Sequence, residues 1–275
     1  MPIAADSRCS PIGVFDSGIG GLTVMQEIIK HLPQEQVLYF GDTARLPYGE
    51  KNRDAVVRYS IENTIFLMDQ NIKLLVVACN TASAHSMGKL RQLFNVPMVD
   101  VVEAGVSQIV STTQNQKIAV LGTRGTISSN VHKNAILKHL PDASVISIAC
   151  PLFAPLVEEN FAKHPATRLI VREYLAPLKN SGIDTLLLGC SHFPLLASII
   201  QDELPGVTLI DPAVSCALTI GFLLKQKQLE ADVSSGVRSD HRFYVSDDPY
   251  KFSQLATNFL GGPILHVEKV SLWSN

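Results

Sequence analysis

The chain has 275 residues, enough for one large or two modest domains, with 46% hydrophobic and 17% charged residues. That balance fits a packed α/β protein and excludes a disordered one. The net charge is −2, with no dense run of lysine or arginine, which argues against nucleic acid or an anionic membrane surface as a main partner.

Short aliphatic runs alternate with helical patterns along the whole chain. Strands are predicted at 12–15, 37–40, 74–78, 98–102, 118–121, 145–149, 185–188, 207–210, 243–245 and 264–267. Amphipathic helices are predicted between most of them, for example at 54–69 and 167–178. Pro33, Pro97, Pro141 and Pro205 punctuate the joins. This alternation implies parallel sheets with right-handed crossovers.

The first strand runs into IGVFDSGIGGL, where Gly18, Gly20 and Gly21 open a helix. It is not a dinucleotide fingerprint, because Thr23 stands where a third glycine is needed, and no Gly-Lys-Ser/Thr follows for a phosphate loop. Its N–H groups still suit a small anion such as a carboxylate, with Asp16 and Ser17 at the lip. The alternative is a tight turn capped by the same two residues. Next comes YFGDTARLPYGEK, where Arg45 and Lys51 flank a Pro47-Tyr48-Gly49 turn. Such a loop can bind a ligand through backbone amides and a tyrosine, or simply connect two elements.

The stretch LLVVACNTASA ends a buried strand on Cys79, and Asn80, Thr81 and Ser83 then start a helix. A cysteine there is either a small apolar core residue or a thiol at the ligand-binding end of a parallel strand, beside amides that lower its pKa. The later run LLLGCSHFPLL puts Cys190 next but one to His192, an arrangement that polarises a thiol. Cys79, Cys190 and His192 are the obvious metal ligands and include no CxxC pair, so no metal is expected.

Five cysteines without regular spacing argue against a disulfide framework and for the reducing cytoplasm. Cys9 is expected in a mobile tail, Cys150 and Cys216 in structural positions, and His31, His132 and His139 on solvated helix faces. No apolar stretch approaches the roughly 20 residues of a membrane span, and the start lacks the regions of a signal peptide. A faint repeat also emerges. IGVFDSGIGGL matches IAVLGTRGTIS at a shift of 118 − 12 = 106, and Cys79 matches Cys190 at 190 − 79 = 111. Two similar α/β domains facing each other would explain it.

Taken together, FDSGIGGL, YFGDTARLPYG, VVACNTAS, VVEAGV, ACPLFAPLVE and LLLGCSHFPLL resemble the glutamate racemase family of cofactor-independent bacterial enzymes. The resemblance implies two pseudo-symmetric, doubly wound α/β domains with mainly parallel sheets and an interdomain active-site cleft. Residues 1–97 plus 211–275 would form the first and 98–210 the second. It implies interconversion of L- and D-glutamate without a cofactor, supplying D-glutamate for peptidoglycan. Glutamate is then the partner, a homodimer is left open, and the location is cytoplasmic. Cys79 and Cys190 would be the acid/base thiols, Cys190 serving L-glutamate and Cys79 D-glutamate. Asp16 would assist Cys79, and His192 would assist Cys190. Asp16, Ser17, Tyr48, Gly49, Asn80, Thr81, Ser191 and His192 would hold the charged groups of the amino acid. Two departures stand out: Ser191 replaces the usual threonine, and VVEAG lacks a proline that many members carry before the glycine.

The chemistry agrees with this reading. Racemisation removes a proton from one face of a carbon and returns one to the other, which two monobasic groups of one type can do. A racemase for aspartate or another small acid would share the paired cysteines but lack the DSGIGG and PYG pieces together. A binding or inhibitory protein on the same fold would be expected to have lost a cysteine.

Overall fold

The computed structural model describes residues 7–231, 240–262, 264 and 266–272. The ten strands among them are β1 (Ile12–Asp16), β2 (Val37–Gly41), β3 (Leu74–Val77), β4 (Met98–Asp100), β5 (Lys117–Gly122), β6 (Ser144–Ala149), β7 (Thr185–Gly189), β8 (Thr208–Ile210), β9 (Arg242–Val245) and β10 (Glu268–Lys269). They form two sheets, ordered β10-β9-β2-β1-β3-β4 and β6-β5-β7-β8, in which every recorded pairing is parallel. β1, β2, β3 and β7 are buried along their whole length. Helices cover both faces, and for that reason these strands read as unbroken aliphatic runs rather than alternating ones.

The order β2-β1-β3-β4 of the first sheet recurs as β6-β5-β7-β8 in the second. The repeat seen in the sequence is thus a repeat of topology. In each sheet the direction of winding reverses beside the first strand, between β1 and β3 and between β5 and β7. In open α/β sheets the carboxyl ends of the strands at such a point are the usual ligand position. Asp16 and Cys79 stand at one such point, and Thr123 and Cys190 at the other.

Two predicted strands shift. The run 98–102 stops as a strand at Asp100, and the helix Val101–Thr112 takes over. The Asp100 carboxylate accepts from the N–H groups of Val102 and Glu103, both at 3.0 Å, so it caps that helix and ends the strand. β4 starts at 98, where the second domain was expected to open, yet it pairs with β3 in the first sheet. The chain crosses to the second sheet only through the helix that follows, whose Val106 and Ile109 pack with Ile118 and Leu187. The final strand is Glu268–Lys269 rather than 264–267, and Leu265 lies outside the described residues. Ile264 and Val267 instead pack as coil on the core. The charged pair joins β9 at the sheet edge, where polar side chains are tolerated.

Three smaller expectations also meet the structure. His132 is buried, not solvated, and neither of its ring nitrogens has a hydrogen-bond partner; burial pushes its pKa down to about 4. His31 is half-buried and His139 exposed. Cys9 ends a short 3₁₀ turn, Ser7–Cys9, whose Arg8 carbonyl accepts from the buried Lys73 ammonium at 2.8 Å. Cys150 and Cys216 are both buried.

Candidate functional site

The site is assembled from chain segments that follow the carboxyl ends of β1, β2, β3, β5, β6 and β7. After β3, Cys79 adopts an extended backbone and caps the helix Asn80–Leu93, its sulfur accepting from the Ala82 N–H at 3.5 Å. After β7, Cys190 ends a fully buried strand and is followed directly by Ser191 and His192. The two cysteines are 6% and 7% exposed, and their sulfurs are not bonded to each other. They are close enough that charge on Cys190 bears on Cys79.

Their surroundings differ in charge. Asp16, fully buried, accepts from the Gly18 N–H at 3.0 Å and from the Ser191 and Ser17 hydroxyls at 3.2 and 3.3 Å. Burial raises its carboxyl above the ordinary range, against the opposing pull of His192 and these donors. Desolvation, with Asp16 adding its charge, pushes the Cys79 thiol up to about 12. Both effects favour the neutral thiol at Cys79. On the other side, His192 Nδ1 lies 3.8 Å from Cys190 Sγ, and its Nε2 lies 2.9 Å from Glu158 Oε1. Burial alone would lower the pKa of this imidazole. Its bonds to Cys190 and Glu158, and their charges, outweigh that and push it up to about 10. The positively charged form of the ring is thus favoured beside Cys190.

Asn80 is 3% exposed, and neither its amide nitrogen nor its carbonyl oxygen has a partner in the protein. A buried carboxamide next to Cys79 with neither polar atom paired can serve as a recognition group for a polar ligand. Thr81 Oγ1 is 3.0 Å from the hydroxyls of both Thr123 and Thr126. Gly49 lies so close to Thr123 that an added Cβ would stand 2.5 Å from it. Tyr48 does not present its hydroxyl to a ligand, since Asp42 and Asn63 already engage it and the side chain is 1% exposed. What this turn offers is main chain.

Gly20 shows how tightly the two halves meet. A Cβ on it would lie 2.3 Å from Ser191 Oγ and 2.5 Å from His192 Nδ1. Gly20→Ala is therefore expected to displace that pair and to cost about 1–3 kcal/mol of stability, as overpacking does, read from the urea midpoint. An unchanged midpoint would mean that the two side chains move aside freely.

Sequence reading missed Glu158 and Thr123. Glu158 is the last residue of ACPLFAPLVE, on the helix Phe153–Glu158, but nothing local ties it to a histidine 34 positions later. Thr123 had a signal: at the repeat shift, 123 − 17 = 106, it is the counterpart of Ser17. Among the described residues, no group of three or more His, Cys, Asp or Glu side chains is arranged to hold a metal ion.

The family model for Asp/Glu/hydantoin racemases matches residues 12–218. A glutamate racemase from Geobacter metallireducens is 45% identical over 262 residues, covering 95% of this chain and 96% of that protein. One from Neisseria meningitidis is 45% identical over 266 residues, covering 96% and 98%. Among solved structures, a glutamate racemase from Francisella tularensis in complex with D-glutamate superposes with a TM-score of 0.91 at 37% identity, over 96% of this chain and 98% of that one. A glutamate racemase isoform from Bacillus anthracis gives 0.92 at 39% identity, with the same coverage.

Proposed function

The chain belongs to the Asp/Glu/hydantoin racemase family, and from that premise we propose that it interconverts L- and D-glutamate by proton transfer at the α-carbon between the thiols of Cys79 and Cys190. The observation that carries the reading is the pair of cysteines at equivalent strand ends of two topologically matched sheets, one beside Asp16 and one beside His192.

Cys190, as a thiolate paired with protonated His192, takes the α-proton of L-glutamate. Cys79, held as a thiol, returns a proton on the opposite face. The product is D-glutamate, and the reverse reaction exchanges the roles. Asp16 stands beside Cys79 to assist it, and Glu158 fixes the ring of His192 and favours its charged form. Neither sulfur bonds to carbon. Charge developing at Cα is stabilised in a site from which water is largely excluded, near the N-terminus of the helix Asn80–Leu93. The Asn80 carboxamide, the hydroxyls of Ser17, Thr81 and Ser191 and the main chain of Tyr48 and Gly49 hold the ammonium and carboxylate groups. D-Glutamate formed in this way would supply peptidoglycan synthesis in the cytoplasm. No helix among the described residues is long and apolar enough to cross a membrane.

The test is circular dichroism of pure L- and of pure D-glutamate incubated with the purified protein and no added cofactor. Both samples are expected to decay to zero ellipticity. Persistence of either signal, under conditions where the protein is folded, would overturn the assignment.

A further inference from the structure

We propose that Asp42 and Asn63, neither of which belongs to the set of groups assigned above to hold glutamate, are positioning residues that set its binding by fixing the main chain of Tyr48 and Gly49. The proposal rests on the reading that this turn holds the substrate.

The segment from Asp42 to Lys51 has little regular structure of its own, only two three-residue 3₁₀ turns, Thr43–Arg45 and Tyr48–Glu50. Its internal main-chain bonds are few: Arg45 N–H to the Asp42 carbonyl at 3.2 Å, Glu50 N–H to Pro47 at 3.4 Å and Lys51 N–H to Tyr48 at 3.0 Å. Side chains must therefore hold it, and they form a closed ring. The Asp42 carboxylate accepts from the Tyr48 hydroxyl and, at 2.7 Å, from Arg45 Nε. The Asn63 amide donates to the Tyr48 hydroxyl at 3.0 Å and accepts from Arg45 Nη2 at 3.0 Å. Asp42 and Asn63 thus grip the same two loop side chains from opposite sides.

Both gripping residues are fully buried, so water cannot substitute for a lost partner. Each is anchored outside the turn. Asn63 sits on the helix Arg53–Asp69, and Asp42 also accepts from the Ser246 hydroxyl at 2.9 Å, just beyond β9. Tyr59 of the same helix closes the cage, with the Arg45 guanidinium 4.1 Å from its ring centre and the Tyr48 ring 5.6 Å away. At the other end of the turn, Gly49 meets Thr123 with no room for a methyl group. The turn is thus held on both sides, and a displacement of an ångström is enough to misplace a bound substrate.

A contact made equally in the ground and transition states governs KM rather than kcat. Asn63→Ala is therefore expected to raise the KM for D-glutamate about tenfold, with kcat kept within about threefold, the size of one lost buried hydrogen bond. Partial unfolding would instead lower kcat through the active fraction and leave KM alone. Tyr48→Phe, a milder change that opens the same ring, is expected to raise KM in the same sense, and it carries the test if Asn63→Ala does not fold. The double variant is expected to add little to the larger single effect, since both break one ring. A wild-type protein inactive on glutamate would overturn the functional reading. An active wild type, with KM unchanged in every folded variant or with fully additive effects in the double variant, would overturn this proposal alone.

Discussion

Cys79→Ser and Cys190→Ser are each expected to lower kcat for glutamate racemisation at least about 10²–10⁴-fold, and in both directions. A two-base reaction needs one thiol to accept and the other to donate in every turnover, so losing either stops both directions. A serine hydroxyl in these positions is too weak an acid and base to replace them. The variants should fold. Each cysteine is almost fully buried, and oxygen is smaller than sulfur, so no overpacking arises. At position 79 serine is also a good helix cap, and the Ala82 N–H keeps an acceptor. Rates come from circular dichroism with each enantiomer, and folding from the urea midpoint. Near-wild-type turnover by either folded variant would refute the two-thiol mechanism.

The largest effect on stability is expected from Lys73→Met, which should cost about 3–5 kcal/mol. Lys73 precedes β3 and Glu35 precedes β2, and both side chains are buried. The ammonium stands 2.5 Å from Glu35 Oε2, an ionic contact rather than a directed hydrogen bond. It also donates to the Arg8 carbonyl, while Glu35 Oε1 accepts from the Ala231 N–H at 2.8 Å. One ion pair therefore ties the N-terminal turn and the region after the helix Pro212–Gln226 to the first sheet. Removing the lysine leaves an uncompensated carboxylate in the interior. Total stabilities of about 5–15 kcal/mol make that a large share. The double variant Lys73→Met/Glu35→Gln removes the stranded charge, keeps an acceptor for Ala231 and should recover much of the loss. Urea denaturation checks both, and a loss below about 1 kcal/mol for Lys73→Met would show that the pair is open to water.

Features set by a few adjacent residues were legible in the sequence. Aliphatic runs fixed most strands, because a parallel strand covered on both faces can only be apolar. The glycines after β1 and the Asn80-Thr81 step after β3 announced helix starts, and a cysteine at each of two strand ends announced two similar halves. The family resemblance then named Cys79, Cys190, Asp16 and His192 together, and the structure places them around one buried site.

Tertiary structure alone decided the rest. Asp16 and Ser191 are 175 positions apart and share a hydrogen bond only because both sheets turn the ends of their first and third strands to one site. Within the second sheet, the helix that follows β6 brings Glu158 to His192, which follows β7. The Tyr48 hydroxyl, free to bind a ligand as far as the sequence goes, is consumed by Asp42 and Asn63. His132 is polar and lies in a helix pattern that suits solvent, yet the packing of that helix buries it. The physical reason is one of range. Strand and helix propensities act over a few neighbouring residues, whereas the partner of a buried polar group is set by which distant strands the crossovers bring side by side.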